Sequence, residues 1–141
     1  PTSWQIINED NQVTNQTNIS VQIIEKQKND YDFSPNINII VSSNKWKEPT
    51  SYLAKQTISQ NRRLLNSYHL IEQKNDIVLS NCKGSSIEYT FNMQGYILYG
   101  IQYIVKKHDN TTFIITLTVD NNKKIKQNDI INSIINSLVI K

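Results

Sequence analysis

The chain has 141 residues, 38% of them hydrophobic, with 15 Lys and Arg set against 12 Asp and Glu. This length supplies one core, and therefore one domain over residues 1–141, and the periodic placement of its apolar residues excludes disorder. One cysteine, Cys82, excludes a disulfide framework and a multi-cysteine zinc site, and no apolar run approaches the ~18 residues of a membrane-spanning helix.

Pro1 to Trp4 leads into a short strand through Gln5, Ile6 and Ile7, and Trp4 reads as a packing anchor. The start at Pro1, with no initiator Met, fits either removal of an upstream signal or lipoprotein leader or simply a boundary cut from a longer chain. Residues 8–18 are Asn-rich and read as a surface loop. Ile19, Val21 and Ile23 alternate with Ser20 and Gln22 as a second strand, and Ile37, Ile39 and Val41 do the same in a third over Asn36–Ser42. After a loop carrying Trp46 between Lys45 and Lys47, Thr50 or Ser51 is the expected N-cap of a helix over about 51–66. Its apolar stripe is Leu53, Thr57, Ile58, Asn61, Leu64 and Leu65, with Arg62 and Arg63 where the helix dipole favours cations. Tyr68–Gln73 and Ile77–Leu79 read as two strands separated by a turn at Asn75-Asp76.

The stretch from Cys82 to Asn121 is the strongest strand signal. Ile87, Tyr89 and Phe91 alternate with polar residues. Ile97, Tyr99, Ile101, Tyr103 and Val105 share one face of the next strand, and Phe113, Ile115, Leu117 and Val119 one face of the last. Gln94-Gly95 and Asp109-Asn110 supply the tight turns. Last comes a helix over about 128–138, capped by Asn128 or Asp129, in which Ile130, Ile131, Ile134, Ile135 and Leu138 form one face. Helical stripes and a strongly apolar meander imply an α+β fold, with helices packed on an antiparallel sheet. The order is β-β-β-α-β-β-β-β-β-α.

This pattern resembles the PsbP-like group of α/β/α sandwich domains, which includes PsbP, the Ran-binding Mog proteins, bacterial DcrB-type lipoproteins and chaperones of secreted effectors. The resemblance rests on Pro1 with Trp4, on Asn36–Val41 ahead of the Ser51–Asn66 helix, on the hairpins around Gly84–Tyr89 and Gly100–Tyr103, and on the closing Ile130–Leu138 run. It implies an α/β/α sandwich with a central antiparallel sheet. It also implies an accessory or chaperone module rather than an enzyme, with no catalytic residue and no cofactor to carry over.

The residues themselves carry no catalytic motif. His69 and His108 are the only histidines, and they lie in no His/carboxylate or His/Cys spacing that would hold a metal. Cys82 reads as a small buried hydrophobe, since a nucleophile needs a neighbouring base. The glycines Gly84, Gly95 and Gly100 are too dispersed to cradle a phosphate, and Asp30-Tyr31-Asp32 reads as a capped turn rather than a calcium loop. Basic residues are scattered over Lys45/Lys47, Arg62-Arg63, Lys106-Lys107 and Lys123-Lys124, which argues against nucleic acid as a partner.

Tyr96, Leu98, Ile104 and Ile114 give the meander a second apolar face. Either a helix covers that face, or it leaves a groove for a partner's hydrophobic segment. With Trp46 as a surface anchor, the candidate partner-binding residues are Trp46, Tyr96, Leu98 and Ile104. The resulting expectation is a non-enzymatic, exported bacterial lipoprotein, attached to the membrane only through an upstream lipid anchor, that binds a protein partner at the cell envelope. The alternative is a cytosolic chaperone-like module that shields hydrophobic segments of a secreted effector.

Overall fold

The computed structural model describes residues 4–9, 18–25, 33–42 and 47–140. Strands β1 Trp4–Glu9, β2 Asn18–Glu25, β3 Asn36–Ser42, β4 Asn66–Leu79, β5 Cys82–Met93, β6 Tyr96–Lys106 and β7 Thr112–Asp120 form one antiparallel sheet. Helix α1, Thr50–Leu64, lies between β3 and β4. Helix α2, Lys124–Ser137, follows β7 after a 3-10 turn over Asn121–Lys123. The strand order β1-β2-β3-β7-β6-β5-β4 joins an N-terminal meander to a C-terminal one through a β3–β7 seam.

Alternation along the strands sends two sets of apolar side chains to opposite faces. On one face Ile37, Tyr99, Ile101, Val105, Ile115, Leu117 and Val119 pack with Ile135 of α2, and Ile134 and Leu138 lie half-buried against them. On the other, Ile87, Tyr89 and Ile104 pack under Ala54 and Ile58 of α1, flanked by Leu53, Leu65, Tyr68, Leu70 and Phe91. Each helix covers one face, which is the α/β/α sandwich expected.

Gly100 is what lets Tyr89 lie flat on the sheet. The two are register partners, and a Cβ at position 100 would stand 2.6 Å from Tyr89 Cζ. The ring thus fills the space that glycine leaves, beside the tilted rings of Tyr68 and Phe91 at centroid distances of 5.3 and 6.0 Å.

Several expectations shift. The turn placed at Asn75-Asp76 is a register irregularity inside one 14-residue strand, β4, with an offset between Lys74 and Ile77. Four strands, not five, therefore separate the helices. The chain turns instead at Ser80-Asn81, whose φ values of 50° and 63° suit a two-residue hairpin. The expected turn at Gln94-Gly95 forms, with φ values of 52° and 92°.

Helix α1 starts at Thr50 and ends at Leu64 rather than spanning 51–66. Pro49 occupies its N-cap, and its carbonyl accepts from the amides of Tyr52 and Leu53. The Thr50 hydroxyl, expected to cap, instead lies 3.0 Å from that of buried Ser85 on β5. Leu64, placed on the apolar stripe, is 69% exposed, and the stripe is completed by fully buried Ala54.

Helix α2 begins at Lys124, ahead of Asn128. Its lead-in is set by buried Asp120, whose carboxylate accepts the amide of Asn122 at 2.9 Å. The side chains of Ile130 and Ile131 lie outside the described residues.

Candidate functional site

The residues expected to meet a partner do not converge. Ile104 is fully buried beneath α1, and Leu98 is 1% exposed. The face they occupy is therefore core, and neither residue offers a partner any surface. Tyr96 is half-buried at the β5–β6 hairpin, where its hydroxyl lies 3.4 Å from Gln94 Oε1. Trp46 and Asp30–Asp32 lie outside the described residues.

Chemically distinctive groups gather instead at the opposite end of the β5–β6 ladder. There the β4–β5 turn, the ends of β5 and β6, the β6–β7 loop and the tail after α2 enclose a cleft of about 580 Å³. Its walls carry Ser80 and Asn81 from the first turn, Lys83 from β5, Lys106 from β6, and Lys107, His108 and Asp109 from the β6–β7 loop. Cys82, Val139 and Ile140 also line it.

Local rules place each of these residues. The β6–β7 loop closes on itself through Lys107 N–H to Thr111 carbonyl and Asn110 N–H to Lys107 carbonyl, both 3.0 Å. Asn110 takes the left-handed conformation at φ 65°, which asparagine tolerates. Asp109 accepts the Thr111 amide at 2.9 Å, and that bond holds its exposed carboxyl below the usual range. The tail is tied down where the Ile140 amide donates to Ser80 Oγ at 2.8 Å.

The lysines are set against one another. Lys83 and Lys106 are direct cross-strand partners, so two like charges stand side by side on one face of the sheet, an arrangement that costs stability. Lys106 donates to the backbone carbonyl of Glu48. Partial burial pushes its ammonium pKa down, against the opposing pull of the Glu48 charge. Three lysines, a histidine and one aspartate line the cleft.

Cys82 belongs to the apolar floor: it is 7% exposed and packs in the cluster with Leu79 and Val105. His69 lies elsewhere, paired with Thr90 along β4, so it does not approach Cys82 as a base. Among the described residues, no three His, Cys, Asp or Glu side chains gather as a metal site. No described helix is long and apolar enough to cross a membrane.

A second polar group sits on the sheet face opposite α1. Tyr99 donates to Glu88 Oε2 at 2.7 Å. Burial first, and then the Glu88 hydrogen bond and charge, drive the Tyr99 phenol pKa far up, and burial with the Glu88 charge raises that of Tyr103.

The reading of Leu98 and Ile104 failed because alternation reports which residues share a face, not which face a helix covers. The cleft was unreadable for another reason. Its lysines are far apart in the chain and meet only through strand register. The one available signal was that Lys83 and Lys106-Lys107 both fall at strand ends.

These features define a PsbP-like α/β/α sandwich. The same fold is seen in LpqN of Mycobacterium tuberculosis, described as involved in cell envelope biogenesis, at TM-score 0.68 and 14% identity over 98% of this chain and 78% of that one. It is seen again in PA94 of Pseudomonas aeruginosa, a protein of unknown function, at TM-score 0.63 and 13% identity over 99% and 83%. Cyanobacterial PsbP from Synechocystis sp. PCC 6803 matches at TM-score 0.59 and 10% identity over 94% and 79%. Within that class the sequence is placed more narrowly: the DcrB family model matches residues 7–137, and the chain belongs to the DcrB family. No curated protein matches it by sequence.

Proposed function

We propose that this domain is a non-catalytic accessory module that works at the bacterial cell envelope by holding a protein partner. Membership of the DcrB family over residues 7–137 carries this reading. The fold shared with LpqN, described as involved in cell envelope biogenesis, supports it.

Cell fractionation with mass-spectrometric mapping of the native N-terminus, combined with in-cell crosslinking, tests the proposal. The expected result is a processed, lipid-modified N-terminus, protease accessibility in spheroplasts, and crosslinks to envelope proteins. An unprocessed protein in the cytosol, crosslinked to one secreted effector, would overturn it in favour of the chaperone-like reading.

A further inference from the structure

We propose that the outer edge of β4 is a homodimerisation surface, on which a second copy of this chain pairs its own β4 antiparallel about a two-fold axis at Gln73. This goes beyond the proposed function and does not rest on it. β4 is the last strand in the sheet order, so among the described residues no strand pairs with its outer side. Along its 14 residues, alternate residues turn their backbone N–H and C=O groups outward, a template for another strand. Two of its apolar side chains stand in solvent, Ile71 at 48% and Val78 at 69% exposure. A long edge with exposed apolar side chains is one that pairs.

Charge pattern selects the partner strand. Glu72 and Lys74 share one face of the sheet and bridge each other at 3.1 Å, both about half exposed. Glu72 also stands directly opposite Glu88 of β5, whose carboxylate accepts from Tyr99. Antiparallel pairing about Gln73 sets Glu72 of each copy opposite Lys74 of the other. The bridge within each chain persists, and the four charges form a ring of alternating sign, the cross-strand arrangement that favours an antiparallel pair. Such self-complementarity is what a two-fold interface requires, so the occupant is a second copy of this chain. The bulges of β4 agree with the same register. They fall between Leu70 and Glu72 and between Lys74 and Ile77, and bulges ordinarily obstruct an edge. About Gln73 they lie on either side of the axis, so each meets the other bulge of the second copy, with Ile71 against Asn75. Beyond them, exposed Val78 comes opposite Tyr68 of the second copy, an aromatic and β-branched pairing.

Sedimentation velocity of the full chain across the micromolar range tests the interface, with circular dichroism verifying that each variant folds. The parent is expected to dimerise. Glu72→Lys and Lys74→Glu each set like charges opposite one another in both symmetry-related pairs, so each alone should weaken dimerisation about tenfold or more. The first variant carries two ammonium groups at these positions and the second two carboxylates. Mixed one to one, they should therefore form a heterodimer that neither supports alone, and the double variant Glu72→Lys/Lys74→Glu should dimerise like the parent. A monomeric parent overturns the proposal and leaves the edge to a strand from another protein. A dimer that neither reversal weakens places the interface elsewhere and overturns it too. So do single variants that stay monomeric on mixing, because their loss would then come from the broken bridge within the chain.

Discussion

Replacing Gly100 with alanine tests whether the Tyr89 ring occupies glycine's missing side chain. The new methyl would lie 2.6 Å from Tyr89 Cζ and 2.7 Å from Cε2, well inside van der Waals contact, so one of them must move. The ring has little freedom: it is 5% exposed, lies under α1, and is flanked by Tyr68 and Phe91. Overpacking of this kind costs about 1–3 kcal/mol, and alanine recovers roughly 0.5–1 kcal/mol of glycine's backbone entropy. The net expectation for Gly100→Ala is a loss of about 1–2 kcal/mol. With a urea m-value of about 2 kcal/mol/M, the midpoint should fall by ~0.5–1 M. Tyr89→Leu removes the clashing atoms, so in that background Gly100→Ala should become neutral or slightly stabilising. The double-mutant cycle should then give a coupling near 2 kcal/mol. Equal losses in both backgrounds, or no loss in the parent, would refute the argument.

Asp120→Ala should lower stability by about 1 kcal/mol, because it removes the acceptor of the Asn122 amide at the entry to α2, while Asp120→Asn should keep most of it. Urea denaturation followed by circular dichroism reads both. Alkaline pH should also unmask the buried phenols. Burial raises Tyr89 from its ordinary value of 10.0 to about 12, so below pH 10 folded and unfolded chains both keep the proton. Between pH 10 and about 12 only the unfolded chain releases it, and stability falls across that window. Absorbance titration at about 295 nm should show Tyr89 and Tyr99 ionising after the exposed tyrosines, with unfolding on the same limb. Simple titration of all seven tyrosines near pH 10 in a chain that stays folded would contradict this.

Strand periodicity was enough to place β3 at Asn36–Ser42 and to divide the meander residues between two faces, because alternation is a local signal that survives folding. It could not tell that α1, rather than a partner, covers Ile104, since that depends on where a helix packs after the chain has turned. Helix boundaries slipped where side chains had other employment. Thr50 is engaged with Ser85, and Asp120 does the entry work expected of Asn128 or Asp129. The turn placed at Asn75-Asp76 became a bulge because β5 offers a partner along the whole of β4. The lysine cleft needed the register of β5 against β6, which no single-strand pattern contains.

The β3–β7 seam also sets the order in which the chain must fold. Strands β1, β2 and β4 to β6 pair with their immediate successors, but the seam joins Ser42 to Thr112 and Asn36 to Thr118. Closing so long a loop before other contacts exist is entropically costly, so the C-terminal hairpins form first and the N-terminal meander docks late. Pulsed hydrogen exchange should therefore protect amides of β5 to β7 before those of β1 and β2, and simultaneous protection would refute the order. Until β3 arrives, β7 is an open edge beside Ile115 and Leu117, residues that are almost completely buried once folding is complete. In that interval a second chain's β3 can take the place of the first, and slow docking makes exchange of the N-terminal meander the characteristic route to misassembly.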